Sequence, residues 1–421
     1  MTRYLFVPFP MHGHVNPMIP VVAELLARES VVDVAVDPEF ASAFAAEGAR
    51  VHEIETPILG SVPASLGRRD RAARRRVNAG IRKRRARLVD EFVGRWPDWR
   101  PDVVVTDLYA EWGGAAARRT RTPLASFTGT FAMNRRMGID GIRRSAGPLV
   151  AALLIGTGLI RIVHPAMRDR AALALVNTTD ELQPDRASFD DDRYRFVGPL
   201  LRADEAHPDV DLPWDRLAAG PVIYVSSGTV YQRGTDFYRQ VAEAFRDTEW
   251  TVVMATARTD PAELGDLPPN VHARQYVPQH AVLRHSDVFL THAGMNSVLD
   301  AVRCGVPMLT APFSLDQKGT AAHLEELGVG FVLGRTVPLD GILDAARRLA
   351  GDDEIKAKLA RLAAPMATAD PPGARAADAR RSSPLPDGRT PQPAPEPRRR
   401  TPAAAALAVV ADALQKFHQN R

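Results

Sequence analysis

The 421-residue sequence lacks several features that mark particular classes of protein. Its single cysteine, Cys304, excludes an internal disulfide and a metal cluster built on cysteines. No run of eighteen apolar residues occurs, so we expect no transmembrane segment. The first residues, MTRYLFVPFP, have no charged and then apolar leader, which predicts a cytoplasmic protein. The loop that follows them lacks a G-x-G-x-x-G pattern, which disfavours a nicotinamide or flavin dehydrogenase.

The hydrophobic pattern alternates short apolar runs with amphipathic helices, in two series. A chain of 421 residues, 45% of them hydrophobic, is too long for one core and predicts two domains. The first series has predicted helices at Met18–Arg28 and Glu111–Arg119 and strands at Tyr4–Phe9, Val31–Val36, Val103–Thr106, Leu173–Asn177 and Arg195–Val197. The second series has predicted strands at Val222–Val225, Trp250–Ala255, Val271–Tyr276, Val288–Thr291 and Met308–Ala311. Strands that alternate with helices predict an α/β fold with a parallel, doubly wound sheet in each domain.

Composition predicts where the domains begin and end. We expect an N-terminal Rossmann-like domain over residues 1–200, a linker containing Pro and Asp over 201–220, and a C-terminal Rossmann-like domain over 221–363. Residues 364–401 are loaded with Pro, Arg, Ala and Ser without periodicity, which predicts a disordered segment; a change of reading frame is the alternative. Residues 402–421 are helical in pattern, and we expect this last helix to cross back onto the N-terminal domain.

The segment from Phe289 to Gln317 carries the strongest chemical signal. A buried strand runs through a glycine turn into a helix that opens at Met295, which presents free backbone N–H groups and the positive end of a helix dipole. Such a turn binds anions. The side chains that we expect to assist it are His292, Asn296 and Ser297, with Asp300 suited to a ribose diol and Asp316 and Gln317 suited to sugar hydroxyls.

These residues resemble the nucleotide-sugar signature of the GT-B glycosyltransferases of family 1, the UDP-glycosyltransferase superfamily, and within it the bacterial macrolide and antibiotic enzymes. The matching positions are His292, Gly294, Asn296, Ser297, Asp300, Pro312, Asp316 and Gln317. The resemblance covers roughly Tyr4 to Leu362 and implies the GT-B architecture, in which two Rossmann-like domains face a cleft.

The resemblance extends to two further donor motifs. Tyr276, Val277 and Gln279 match a W-x-P-Q motif whose aromatic ring stacks on the donor base, and the change of Trp to Tyr leaves uracil and thymine open. The stretch Ser226–Thr229 resembles the second phosphate loop of the family, and Ser227 or Thr229 is expected to donate a hydrogen bond there.

The loop after the first strand holds the candidate base. Asn16 suits an N-cap and Pro17 a first helical residue, which predicts that the preceding histidines lie on a loop at the carboxyl edge of the sheet. By the family's G-H-x-x-P motif, His14 is the general base.

Asp107 follows the strand Val103–Thr106 and matches the family's carboxylate partner, which fixes the imidazole tautomer. A helix N-cap is the alternative role for Asp107. The predicted acceptor-binding residues are His12 and Phe127.

Together these features predict an inverting, metal-independent transferase. It moves a hexose from a UDP- or TDP-sugar to a hydroxyl or nitrogen of a lipophilic natural-product aglycone, in antibiotic biosynthesis or inactivation, without a cofactor. Its partners are then the nucleotide-sugar and the aglycone, and it acts as a monomer or homodimer. A nucleotide-sugar 2-epimerase of the same fold and a catalytically inert auxiliary homologue are the alternatives.

Three other segments carry weaker signals. The run Asp190–Asp192 is interpreted as a solvated acidic turn, so no metal site is predicted. The arginine-rich run Arg68–Arg87 has no interleaved aromatics, which argues against single-stranded nucleic acid and favours a solvated helix and loop beside the acceptor cleft. The apolar stretch Leu149–Ile162 is too short to span a bilayer, so it lines an acceptor pocket or makes weak contact with a membrane surface.

Overall fold

In the computed structural model the chain folds into two compact units, described at residues 1–56, 71–157, 169–200, 210–228, 233–334, 338–366 and 402–419. The first unit comprises Met1–Arg202 together with Ala406–Arg421, and the second comprises Ala203–Ala405. Within the described ranges, no helix has both the length and the apolar character that crossing a bilayer requires.

The first unit is built on a seven-stranded parallel sheet with the strand order β3-β2-β1-β4-β5-β6-β7. Its strands are β1 (Arg3–Val7), β2 (Val31–Val36), β3 (Arg50–Glu53), β4 (Val103–Asp107), β5 (Leu124–Thr128), β6 (Leu173–Val176) and β7 (Tyr194–Phe196). The helices that connect them are α1 (His12–Val15), α2 (Met18–Ala27), α3 (Pro38–Ala46), α4 (Arg71–Trp99), α5 (Glu111–Arg119), α6 (Arg135–Ala146) and α7 (Pro148–Gly156). The central strands are buried on both faces, as is usual for a parallel sheet that is covered by helices.

The second unit has a six-stranded parallel sheet in the order β10-β9-β8-β11-β12-β13. Its strands are β8 (Val222–Ser226), β9 (Thr251–Ala255), β10 (Val271–Arg274), β11 (Val288–Thr291), β12 (Met308–Thr310) and β13 (Gly330–Val332). Its helices are α8 (Trp214–Ala219), α9 (Thr235–Ala244), α10 (Gln279–His285), α11 (Met295–Arg303), α12 (Leu315–Glu326), α13 (Ile342–Gly351) and α14 (Asp353–Ala363).

The last helix, α15 (Pro402–Gln419), packs into the core of the first unit. Val410, Ala411 and Leu414 are fully buried there among residues of β1, α2 and β2. At its surface, Arg28 of the same unit donates hydrogen bonds to the Asp412 carboxylate and to the Ala408 carbonyl. The chain therefore completes its first core with residues that lie about four hundred positions downstream.

Each sheet reverses its winding direction at one place. In the first sheet the reversal falls between β1 and β4, and in the second between β8 and β11. Ligands of open α/β sheets bind outside the carboxyl ends of the two strands at such a reversal. The fold therefore marks one candidate site in each unit.

The start of the first site differs from the sequence prediction. β1 ends at Val7 rather than Phe9, because Pro8 has no N–H for the ladder. The histidines that follow lie in the single turn α1 rather than on a loop. Asn16 is the C-cap of α1, and Pro17 is the N-cap of α2, so the predicted N-cap at Asn16 is wrong.

Other predicted segments also have different bounds. The helix predicted within Arg68–Arg87 continues to Trp99, and residues 57–70 lie outside the described residues. The predicted linker 201–220 contains α8, whose Leu217 is fully buried in the second unit, while residues 201–209 lie outside the described residues. The apolar stretch predicted over Leu149–Ile162 forms α7 as far as Gly156. The predicted segment 364–401 begins with a short 3-10 turn, Ala364–Met366, and its remainder is not described.

Candidate active site

His14 and Asp107 meet at the reversal of the first sheet. β1 and β4 are paired in parallel, with Val7 opposite Thr106, so the residues after both strands reach the same edge. The His14 Nδ1 lies 2.8 Å from the Asp107 Oδ2. Because a carboxylate only accepts, Nδ1 donates its proton, which leaves the lone pair of the imidazole on Nε2. In this arrangement the carboxylate orients the ring, and Nε2 is able to accept a proton.

The carboxylate and the ring are both held in place. The Asp107 side chain is fully buried, and its second oxygen accepts the Tyr109 backbone N–H at 2.8 Å. The His14 ring makes edge contacts with the rings of Phe9 and Tyr109, at centroid distances of 5.5 and 5.3 Å. Only 12% of the His14 side chain is exposed to solvent. The hydrogen bond to Asp107 therefore fixes the orientation of the imidazole, and aromatic rings contact it on two sides.

Gly129, just after β5, has no side chain, and this allows the α1 turn that carries His14 to pack against its backbone. A Cβ at Gly129 would lie 2.8 Å from the Gly13 carbonyl oxygen and 3.6 Å from the His14 Cα. Real Cβ atoms are essentially never found under 3.0 Å from another heavy atom, so a side chain here would displace the backbone of α1. No sequence pattern around Gly129 predicts this contact, because the two segments are more than a hundred residues apart.

We expect Gly129→Ala to lower kcat/KM for transfer about 100-fold, since a displacement of about 1 Å costs roughly that much in a positioned reaction. The measurement is steady-state kinetics, with the melting temperature as a check on folding. Gly94→Ala is the control, because no atom lies within 4 Å of its added Cβ. An unchanged rate in Gly129→Ala would show that α1 tolerates the shift.

The two predicted acceptor-binding residues lie in different surroundings. His12 is half-exposed on α1, where its ring packs edge-on against Phe40 at 5.0 Å and its Nε2 lies 3.7 Å from the Glu39 carboxylate. Phe127 is 1% exposed and packs in the core with residues of β1 and β6, so it offers almost no surface to an acceptor. In a strand that is buried on both faces, no polar alternation shows which side chains face a ligand.

The predicted anion turn lies at the reversal of the second sheet. β11 pairs with β8, with Thr291 opposite Ser226, and His292 and Gly228 follow the two strands. The His292 ring fills the space left by two glycines: a Cβ at Gly228 would lie 2.7 Å from its Cε1, and one at Gly294 would lie 2.3 Å from its Nε2. Gly294 is the N-cap of α11, so the ring adjoins the positive end of that helix.

His292 is kept neutral by its surroundings. Burial lowers the pKa of His292 to about 4, and the positive charge of Arg233 acts in the same direction. A backbone hydrogen bond with Ser226 and the charge of Asp316 oppose that shift of the pKa. Its Nδ1 is buried without a hydrogen-bond partner among the described residues. At neutral pH the ring is therefore a dipolar group rather than a cation.

Gln279 connects two residues of the predicted ribose and phosphate set. Its Nε2 donates to the Asp300 Oδ2 at 2.8 Å, and its Oε1 accepts from the Ser297 Oγ at 3.4 Å. Ser297 and Asp300 lie on the first turns of α11, and Gln279 begins α10. The structure thus brings together side chains from motifs eighteen residues or more apart.

The remaining predicted donor residues vary in accessibility. Tyr276 is 64% exposed, so its side chain is accessible to a ligand. Val277 is half-buried beside it, and Asn296 is half-buried in the first turn of α11. Asp316 is half-buried in the first turn of α12 and near enough to affect the pKa of His292. Thr229 lies outside the described residues.

Two predicted donor residues have structural partners instead. The Ser227 hydroxyl is buried and lies 2.6 Å from the Tyr238 hydroxyl, which connects the residue after β8 to α9; its role at the phosphates stays a prediction. Gln317 is also buried and forms a capping box at the start of α12. Its Oε1 accepts the backbone N–H groups of Phe313 and Ser314 at 2.8 and 3.2 Å. The capping bonds fix the Gln317 oxygen, which leaves its amide N–H groups for other contacts.

No three His, Cys, Asp or Glu side chains among the described residues are grouped as ligands for a metal ion. The hydrogen-bonding groups at the second site are instead backbone N–H groups, His292 and hydroxyl or amide side chains.

Comparison with known proteins identifies the family. The profile described as "UDP-glucoronosyl and UDP-glucosyl transferase" matches residues 195–366. Oleandomycin glycosyltransferase of Streptomyces antibioticus is 31% identical over 378 residues, which cover 85% of each chain. The chain belongs to this glycosyltransferase family.

Other family members extend the likeness over the whole chain. The NDP-glycosyltransferase YjiC of Bacillus subtilis is 28% identical over 360 residues, 84% of this chain and 90% of its own. The crystal structure of the calicheamicin glycosyltransferase CalG4 superposes with a TM-score of 0.72 at 26% identity, covering 99% of this chain and 98% of its own. The protein is therefore a GT-B glycosyltransferase with two Rossmann-like units, as the sequence predicted.

Proposed function

We propose that this glycosyltransferase is an inverting, metal-independent enzyme that moves a hexose from a UDP- or TDP-sugar to a lipophilic, antibiotic-type aglycone. The observation that carries the proposal is the 2.8 Å hydrogen bond between His14 Nδ1 and buried Asp107, which presents Nε2 as a base. An alcohol is a weak nucleophile, so a base whose pKa lies near neutrality is what its activation needs.

The reaction follows from these groups. The acceptor O–H gives its proton to His14 Nε2 while its oxygen forms a bond to the anomeric carbon from the face opposite the leaving group. The bond between that carbon and the phosphate oxygen breaks, and the nucleoside diphosphate departs with the electron pair. Asp107 stabilises the imidazolium that results. A nitrogen acceptor would react in the same way.

The leaving diphosphate is a concentrated negative charge that the second unit is suited to receive. The N-terminus of α11 offers backbone N–H groups, and neutral His292, Asn296 and Ser297 lie on or beside its first turn. Preorganised donors of this kind stabilise developing charge without reorganising. Tyr276 offers a ring face to the base, and Asp300 and Asp316 offer carboxylates to the sugar hydroxyls.

The acceptor class rests on the relatives and on an apolar surface. Relatives of this chain are named for oleandomycin and calicheamicin. Helix α7 exposes large apolar side chains, with Leu149 at 85% and Leu153 at 65%, in the unit that holds His14. Exposed apolar groups of this size favour a lipophilic partner.

The test incubates the protein with UDP-glucose or a TDP-deoxysugar and a panel of macrolide, polyketide and aromatic aglycones, followed by mass spectrometry. We expect glycosylated products with inverted anomeric configuration by NMR, and we expect transfer to survive EDTA. A requirement for Mg²⁺ or retained configuration would contradict the mechanism. Turnover of the donor without any acceptor would favour the 2-epimerase, and binding of UDP without turnover would favour the inert homologue.

A further inference from the structure

Arg233 is held rigidly at the carboxyl edge of the second sheet. Its guanidinium carbon lies 4.5 Å from the ring centroid of Phe237, on α9, and 4.1 Å from that of Phe313, which follows β12. Its Nη2 donates to the Ala311 carbonyl oxygen at 2.6 Å. Two aromatic rings and one carbonyl therefore fix both the plane and the direction of the fork.

The carbonyl that anchors Arg233 belongs to the same strand ends as the anion turn. Ala311 donates its backbone N–H to the carbonyl of Thr291 at 2.7 Å, and Thr291 immediately precedes His292. Arg233 is near enough to His292 for its positive charge to lower the pKa of the imidazole, and the negative charge of Asp316 acts in the opposite direction. Arg233 thus lies at the donor edge although neither the donor motifs nor the sequence pattern includes it.

The charge of Arg233 has no counter-charge among the described residues. Arg233 forms no ion pair with a carboxylate of the described residues, and burial lowers the pKa of its guanidinium. A half-buried cation without an anion is unfavourable, because desolvation penalises the charged form. The adjoining cavity, of about 560 Å³, has two cations in its lining, Arg233 and Lys318, and its other lining residues are apolar. The surroundings are those of a site whose anion arrives with a ligand.

We propose that Arg233 binds the diphosphate of the nucleotide-sugar donor, at the phosphate that bears the sugar. This inference rests on the proposed function and adds a residue to its donor site. The planar fork offers two parallel N–H donors to phosphate oxygens, a geometry that Lys does not reproduce. Stacking between the two rings orients the fork before the donor arrives, so little side-chain entropy is lost on binding.

The test measures binding of UDP, UMP and uridine, and of the thymidine series, to the full chain by calorimetry. In Arg233→Met, an unbranched apolar stem remains between the rings while the charge is lost. We expect UDP affinity to fall between tenfold and 100-fold and the ratio of UDP to UMP affinity to fall about tenfold, with uridine affinity unchanged, as for loss of a charge-assisted hydrogen bond. The slope of log affinity against log salt for UDP should also become shallower.

Arg246→Met is the matched control, because Arg246 lies after the opposite end of α9 and pairs with Glu243 on the surface. Arg233→Lys keeps the charge and serves if the methionine variant fails to fold; its UDP-to-UMP ratio should fall by several-fold. Equal losses for UDP, UMP and uridine, or no loss at all, would overturn the inference. If the native protein bound neither UDP nor TDP, the proposed function would fail as well. If the native protein bound UDP and transferred the sugar, and the Arg233 variants did both equally well, only the inference about Arg233 would be overturned.

Discussion

His14→Ala should lower kcat for glycosyl transfer by between about 10² and 10⁴-fold, the range that a positioned general base contributes. The reason is that this imidazole is held in a defined orientation: its Nδ1 lies 2.8 Å from the Asp107 carboxylate, and its ring contacts the rings of Phe9 and Tyr109. UDP affinity should stay within about threefold of the native value, because the predicted diphosphate contacts all come from the second unit. The measurement is steady-state kinetics combined with calorimetry on UDP.

Two further observations make this prediction specific to proton transfer. Added imidazole should partly restore the rate of His14→Ala, in proportion to the neutral imidazole fraction as pH changes. His12→Ala, two residues away, removes a ring of the same size. This change should at most raise KM for the aglycone, and kcat should stay within a few-fold of the native value. A loss of UDP affinity in His14→Ala would reassign His14 to the donor site. An undiminished kcat would remove the general-base mechanism altogether.

Leu414→Ala should lower the free energy of unfolding of the first unit by about 2 to 5 kcal/mol, the usual result of truncating a fully buried leucine. Leu414 lies in the core that α15 shares with β1, α2 and β2, and its side chain is 0% exposed. The loss combines the transfer free energy of the removed methyl groups with the cavity that they leave.

Val409→Ala on the same helix is the control, because Val409 is 49% exposed and its truncation should change stability by less than about 0.5 kcal/mol. Urea denaturation gives the overall change, and hydrogen exchange read peptide by peptide assigns it to the first unit. Faster exchange in β1, β2 and α2, with the second unit unaffected, is the expected pattern. Equal stability of the two variants would show that α15 contributes no core packing.

Much of the architecture was predictable because the decisive signals are local. The bounds of β2, α5 and β11 and the start of α11 agree with the apolar runs and turn residues that predicted them. The residues of both sites follow strands in the sequence, and parallel strands place their carboxyl ends at one edge, so the pairing of His14 with Asp107 could be expected before any coordinates.

The rest depended on contacts that a single sequence does not encode locally. β3, β5 and β13 were not predicted, because RVHE and LASFT mix polar with apolar residues and GFV is a run of only three residues. Ser227 and Phe127 were assigned to ligand binding by position, yet both are buried, Ser227 beside the Tyr238 hydroxyl and Phe127 in the core of the first unit. In strands covered on both faces, such as the one that holds Phe127, neighbouring residues do not alternate in polarity. Gly129 matters because the backbone of α1 approaches it closely, and Arg233 because it contacts Ala311, which is distant in sequence. Residue spacing shows neither contact.

The return of α15 to the first unit has a consequence for biosynthesis. A ribosome releases the amino-terminal half of the chain first, yet the apolar surface of α2 and its neighbouring strands meets its final cover only when residues 406–417 emerge. Until then the nascent chain carries an open hydrophobic face, a natural substrate for chaperones. Folding of this half is therefore completed only after α15 has been translated, and premature termination before α15 yields a chain prone to aggregation.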